Sequence, residues 1–210
     1  VRVLQLEIGK KTFTEKNRPA LIPDHGKLMH LFLVREDSHD AFAHLHPVRK
    51  ERYLFEVLVP PLPEGRYAIF CDLTFEGGAS STAMTSVLLP AAPGQEESEA
   101  AVTVADPDDS WATLTDGIAA GTPASTFVLP TGERIVWKSD TAPRVGEDAS
   151  FRFEVVNAAG EPAALEPYMG MFSHAAVLRR DGTIFAHLHP AGISRWPLNR
   201  SSKRSSLAKG

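Results

Sequence analysis

Six of the eight histidines of this chain fall into two groups with nearly the same spacing. A lone histidine precedes A-F-A-H-L-H-P in the first group and I-F-A-H-L-H-P in the second. The members are His30, His44 and His46 in the first group, and His174, His187 and His189 in the second. Imidazole nitrogen suits copper, zinc, iron and nickel, so we predict that each group binds one metal ion.

Methionines close to both groups could add a softer ligand to each. Met29 lies beside the first group, and Met169 and Met171 lie shortly before the second. Histidine and methionine without cysteine or nearby carboxylates favour copper, while zinc with water as its fourth ligand remains open. The one cysteine, Cys71, lies in an apolar strand pattern and is expected to be a buried structural thiol.

The two groups belong to an internal repeat. When Pro23 is aligned with Pro167 and Gly26 with Gly170, the lone histidines coincide. The paired histidines also coincide once the first copy is given one extra loop residue. A repeat of this length indicates two related structural units rather than one large domain.

The second copy should be a β-hairpin that gathers its histidines on one face. Asp181-Gly182 between apolar runs predicts a two-residue turn in which both residues have positive φ. Counting back from that turn, Ala176 faces His187 and His174 faces His189. Strand side chains alternate faces with a period of two, so all three imidazoles are predicted to share a side.

The first copy should reach the same arrangement through a longer loop. A three-residue loop at 37–39 places His30 opposite His46. A register slip by one residue would scatter the three rings over both faces. The extra loop residue therefore preserves the predicted site.

Composition excludes several other classes of protein. The formal net charge of −4 includes a purely basic segment at 193–210, so the rest of the chain is clearly acidic. That charge argues against a nucleic-acid surface. No apolar run approaches the roughly 18 residues of a membrane span, and we expect any membrane contact to come from a segment absent from this sequence. The start at Val1 is consistent with a leader or anchor that has been removed.

Short alternating segments separated by turn signals predict an all-β protein with two tandem immunoglobulin-like β-sandwich domains. The second domain looks truncated, because it has no counterpart of the closing strands of the first. The predicted divisions are a first sandwich at 1–90, a linker or connector at 91–126, an incomplete second sandwich at 127–192, and a disordered basic tail at 193–210.

Two other functions compete with metal binding. The histidines could only brace their hairpins, which would make the chain a structural or interaction module. Alternatively, His44, His46 and Glu51 resemble the first metal motif of the cupins, which would suggest a metalloenzyme. The cupin glycines and second motif are absent, and no nucleophile elbow, phosphate loop or dinucleotide fingerprint is present. The residues therefore do not predict catalysis.

Three segments resemble a known group of bacterial proteins. They are P-D-H-G-K-L-M-H-L-F-L-V-R, V-P-P-L-P-E-G-R-Y-A-I-F and P-Y-M-G-M-F-S-H-A-A-V-L-R-R-D-G-T-I-F-A-H-L-H-P-A-G. These segments resemble the YtkA-like group of exported, immunoglobulin-like sandwiches, which are often found near copper and heavy-metal handling proteins. The resemblance covers 21–89 and 149–192 and is lost at 193–210. It implies an extracytoplasmic location, periplasmic, secreted or membrane-anchored, with metal-handling or membrane proteins as partners.

Overall fold

The computed structural model describes residues 2–9, 19–91, 104–114, 125–138 and 144–190. All regular structure in these ranges is β-strand, which confirms the predicted all-β class. In the first half the strands are β1 Arg2–Glu7, β2 His30–Arg35, β3 Ala41–Leu45, β4 Val48–Arg49, β5 Leu54–Val59, β6 Gly65–Thr74, β7 Ser80–Leu89 and β8 Ser110–Thr113. In the second half they are β9 Thr126–Val128, β10 Arg134–Trp137, β11 Phe153–Val156, β12 Ala175–Leu178 and β13 Phe185–Leu188. Within the described ranges, no helix is of the length and apolarity that crossing a bilayer requires.

The first half is built from two antiparallel sheets. One has five strands in the order β7-β6-β2-β3-β8, and the other has three in the order β1-β5-β4. Alternation along β2 sends Leu31 and Leu33 into the space between the sheets, where they join Phe55 and Val57 of β5. Burying such a side chain contributes about 1.5–3 kcal/mol, so this apolar layer holds the two sheets together.

The opposite face of the five-stranded sheet carries the first histidine group and is also covered. Phe32, Val34 and Phe70 form a second buried cluster on that face. Leu178 and Phe185 from the β12–β13 hairpin pack against this cluster. The second histidine hairpin therefore lies on the outer face of the first half's sheet.

The second half buries much less of its own surface. Its strands form a three-stranded sheet, β11-β10-β9, and the separate β12–β13 hairpin. Among the described residues, every fully buried apolar side chain belongs to 29–89. The all-β class is confirmed, while the two complete immunoglobulin-like sandwiches remain a prediction.

Part of the predicted connector belongs to the first half's sheet. Strand β8, inside the expected 91–126 connector, pairs with β3 so that Ala43 lies opposite Trp111 and His44 opposite Ser110. Asp109, also inside the expected connector, has a side chain that is only 5% exposed. The predicted basic tail at 193–210 lies outside the described residues.

Candidate metal centre

Both hairpins have the predicted register. Ala176 lies opposite His187 in β12–β13, and Phe32 lies opposite His44 in β2–β3. The predicted turn conformation at Asp181-Gly182 is wrong, since only Gly182 of the two takes a positive φ, of 73°. Asp181 instead accepts hydrogen bonds at its side chain from the N–H and hydroxyl of Thr183. A capped turn therefore sets the same register by a different local geometry.

A second pair of matched turns precedes the histidine hairpins. His25 and Gly26 have φ of 48° and 82°, and Met169 and Gly170 have φ of 51° and 78°. Reciprocal main-chain hydrogen bonds close both turns, between 24 and 27 and between 168 and 171. Two successive positive φ values define a type I′ turn. The alignment of the two copies therefore holds in three dimensions at this turn.

The two histidine groups have almost the same internal geometry. In the first, the ring centroids lie 5.3, 4.6 and 5.2 Å apart for the pairs 30–44, 44–46 and 30–46. In the second, they lie 5.6, 4.5 and 5.2 Å apart for 174–187, 187–189 and 174–189. Within each group, one nitrogen from every ring lies within 4.8 Å of the others. Both groups could therefore hold a metal ion.

The two groups also face each other across the contact between the halves. The centroids of His30 and His187 lie 5.2 Å apart, and those of His44 and His187 lie 5.6 Å apart. His44 and His174 are separated by 6.2 Å. The sequence predicted one separate site in each domain, whereas the structure brings all six rings into one cluster.

Burial favours the neutral form of four of these imidazoles, which is the form that binds metals. His30 and His44 are 2% and 3% exposed. Burial, together with the neighbouring imidazoles, lowers the pKa of His30 to about 4 and that of His44 to about 2. The same causes lower the pKa of His174 to about 4 and also lower the pKa of His189.

The hydrogen-bond partner of His30 defines its tautomer. The main-chain carbonyl of Asp24 can only accept a hydrogen bond, so Nε2 of His30, 3.2 Å away, carries the proton. This leaves a lone pair on Nδ1 of His30. Tyr168 has one hydroxyl proton and donates it to the carbonyl of Asp108. The Tyr168 oxygen also lies 3.4 Å from Nδ1 of His44, so His44 can carry its proton on either ring nitrogen.

Nε2 of His44 lies 3.0 Å from the Nδ1 lone pair of His30. With its proton on Nε2, neutral His44 donates a hydrogen bond to His30. With its proton on Nδ1, toward the Tyr168 oxygen, His44 turns a second lone pair to the same point, where a metal ion could bind. Two nitrogens bound to a tetrahedral zinc ion lie about 3.3 Å apart. The observed separation is therefore close to that of two ligands sharing an ion.

His46 completes the first group with a third lone pair. Asp109 accepts from the Nδ1–H of His46 at 3.1 Å and from its main-chain N–H at 2.7 Å. Nε2 of His46 is buried and has no partner among the described groups. A carboxylate behind a histidine is the usual way in which a metal ligand is oriented and made more basic.

The second group has its own carboxylate and more unpartnered nitrogens. Nδ1 of His187 lies 3.4 Å from Asp72, which also accepts the hydroxyl of Thr82. Burial alone would raise the pKa of Asp72, but hydrogen bonds from His187 and Thr82 outweigh it and lower the pKa. Nε2 of His187, Nε2 of His189 and both nitrogens of His174 are buried without partners in the described chain. Among the described residues, nothing competes with a metal ion for these nitrogens.

Each half supports the histidines of the other. Asp72, which lies opposite His30 in β6, orients His187 of the second half. Tyr168 from the second half contacts His44 of the first. His25 contacts His189 with ring centroids 4.5 Å apart. Each group therefore has its three histidines in one half and takes supporting contacts from the other half.

Sequence reasoning missed several of these supporting residues. Lys27 binds Asp106 at 2.5 Å and Asp108 at 2.8 Å, which holds the segment that carries Asp109. His25 is not among the predicted ligands, although it occupies the repeat position of Met169, which is one of them. Asp109 has no counterpart in the repeat, so no pattern in the sequence indicated its role.

The methionine predictions have different outcomes. Met29 as a ligand is wrong, because its side chain is 1% exposed within the main core, on the face opposite His30. Met169 and Met171 are half-buried beside the second type I′ turn and stay predictions. Cys71 also lies in the main core, where burial raises the pKa of its thiol to about 12. A thiolate ligand from Cys71 is therefore excluded.

The acid of the cupin-like interpretation is not part of the cluster. Glu51 is exposed and belongs to none of the metal-capable groups found among the described residues. Those groups do include two with carboxylates, formed by Asp24, His25 and His189 and by His46, Asp106 and Asp109. The carboxylates at this centre thus come from positions that the cupin motif does not name.

Comparison with known proteins adds little beyond this geometry. A family model for a domain of unknown function, DUF8832, matches residues 130–206. The match includes the second histidine group and begins after the first group in the sequence. No curated protein and no solved structure matches the chain.

Proposed function

We propose that this chain is an extracytoplasmic metal-binding protein that holds one copper-type ion in each three-histidine group. The observation that carries the proposal is the convergence of three imidazoles in each group, where one nitrogen from every ring lies within 4.8 Å of the others. Buried, unpartnered nitrogens in His46 and in the second group extend the same argument to the whole cluster.

The donor set favours copper over harder ions. The six predicted histidine ligands offer imidazole nitrogens, which suit copper, zinc, iron and nickel rather than magnesium or calcium. Among divalent ions of the first transition row, Cu²⁺ forms the most stable complexes with nitrogen ligands. Three protein ligands also leave room for water or another small ligand, which keeps zinc as the second candidate.

A purely structural role for the histidines leaves the unpartnered nitrogens unexplained. The hydrogen bond from His30 to the Asp24 carbonyl is one that such a structural role would explain. Five other buried ring nitrogens have no described partner, and an unsatisfied buried polar group costs about 1–3 kcal/mol. An ion bound in each group would give these nitrogens a partner, which a bracing role does not.

Metal titration of the full chain tests the proposal. Calorimetry with Cu²⁺ and with Zn²⁺ should find about one site for each histidine group. The double substitution His187→Ala and His189→Ala should abolish the second site while the far-ultraviolet circular dichroism of the all-β fold is kept.

His39→Asn is the matched control, because it removes a histidine outside both groups. His39 has a φ of 51°, a conformation that asparagine tolerates. This variant should bind metal like the parent chain. Unchanged uptake by the His187 and His189 double variant would contradict the second site, and no uptake by the parent would contradict the whole proposal.

A further inference from the structure

We infer that the two three-histidine groups form a single two-ion centre at the contact between the halves. This inference rests on the proposed function, since it requires that each group bind an ion. It goes further in stating that the ions are neighbours and that each site depends on residues from both halves of the chain.

The ring distances set an upper limit on the separation of the ions. An ion bound 2.0–2.1 Å from a ring nitrogen lies about 3 Å from the centre of that ring. The ring centres of His30 and His187, which belong to different groups, are 5.2 Å apart. The two ions therefore lie at most about 12 Å apart.

A single cavity connects the two groups. It has a volume of about 400 Å³ and is lined by His30 of the first group and by His187 and His189 of the second. Asp24 and Asp72 also line it. An ion that enters this cavity meets ligands of both groups, and any coordination position that opens into it lies in a shared space.

The charges around the cluster offset the repulsion between two cations. Asp72 lies 3.4 Å from Nδ1 of His187, and Asp106 lies 3.9 Å from Nδ1 of His46. Asp109 adds a third carboxylate behind His46. Lys27, the cationic side chain in the cavity lining, is paired with Asp106 and Asp108. The surroundings are therefore net acidic, as a site for two cations requires.

Electron paramagnetic resonance of the Cu²⁺-loaded full chain tests the pair. Two Cu²⁺ ions within about 12 Å of each other should give a dipolar-broadened spectrum. The variant with His187→Ala and His189→Ala should bind one ion and give a resolved, unbroadened spectrum. A second variant, with His30→Ala and His46→Ala, should bind one ion at the second group and give the same unbroadened spectrum. It provides the test if the first variant does not fold.

The outcomes separate this inference from the proposed function. Two bound ions with the unbroadened spectra of isolated sites would overturn the pair and leave the proposed function standing. One ion for the whole chain, lost in both double variants, would also overturn it and would indicate a single site shared by the two groups. Failure to take up copper or zinc at all would overturn the inference and the proposed function together.

Discussion

At the scale of single residues, proton positions rather than distances alone identify the candidate centre. The Asp24 carbonyl and the Asp109 carboxylate can only accept hydrogen bonds, so each fixes a proton on the outer nitrogen of a histidine. The inner nitrogens of His30 and His46 are then left with lone pairs. Burial prevents His30 from charging, as its pKa of about 4 indicates. A neutral imidazole with a fixed tautomer is ready to bind a metal ion.

The same burial predicts how stability depends on pH in the metal-free protein. The unfolded chain binds protons at its histidines near pH 6.5, but folded His30 and His44 do so only near pH 4 and pH 2. Since the unfolded state binds more protons in this window, stability falls as the pH is lowered below 6.5. We expect urea unfolding to show a loss of about 1.4 kcal/mol for each of the two histidines between about pH 7.5 and about pH 5.5.

The control for this pH effect is His44→Gln, which removes one of the two titrating groups. Its loss over the same range should be smaller by about 1.4 kcal/mol. Equal stability of the parent protein at both pH values would show that these histidines are not buried in neutral form.

At the scale of elements, two type I′ turns bring side chains from one half toward the histidines of the other. His25 and Gly26 form the first turn, and Met169 and Gly170 form the second. The first turn brings His25 to His189, and the second follows Tyr168, which reaches His44. The turns therefore help to assemble the centre as well as reverse the chain.

Gly26→Ala tests the role of the first turn. Gly26 has a φ of 82° and nothing within 4 Å of an added Cβ, so any cost comes from backbone strain. We expect a loss of about 1–2 kcal/mol in urea unfolding, with weaker metal binding at the second group because His25 shifts. Gly9→Ala is the matched control, since its Cβ also meets open space and its φ is not in the left-handed region. Equal effects of the two substitutions would contradict the proposed strain.

At the scale of the whole molecule, the packing of the second hairpin on the first sheet creates the composite centre. Phe185 stacks on Phe70 with ring centroids 4.3 Å apart and contacts Phe32 at 4.8 Å. This aromatic cluster lies beside the histidines, since Phe32 also stacks on His44 at 4.4 Å. The apolar contact therefore determines how closely the two groups approach.

Phe185→Ala should loosen this contact. Burial of Phe185 is partial, so we expect a loss of about 2 kcal/mol in urea unfolding, below the range for a fully buried phenylalanine. Copper affinity should fall at both groups, because each group takes a supporting residue from the other half. Ile184→Ala is the control, since Ile184 is the adjacent residue and is 55% exposed. It should change stability by less than about 0.5 kcal/mol, and a larger effect there than at Phe185 would refute this account.

The sequence by itself determined the local features of this protein. Spacing, repeat and turn signals established the hairpin registers and placed three histidines on one face of each, because strand side chains alternate with a fixed period. The same alternation, applied to Met29, would have placed it opposite His30 and removed it from the predicted ligands. This alternation follows from the strand backbone itself, so the sequence specifies it directly, whereas the turn conformation at Asp181-Gly182 did not follow from the residue types.

Only the tertiary structure decided that the two groups meet. Asp72 supports His187 from 115 positions earlier in the chain, and Asp109 supports His46 from a segment without repeat or motif. Which sheet face packs on which hairpin depends on apolar burial summed over distant side chains, such as Phe70 and Phe185. No local spacing encodes that sum, so the histidine hairpins could be predicted from the sequence and their common centre could not.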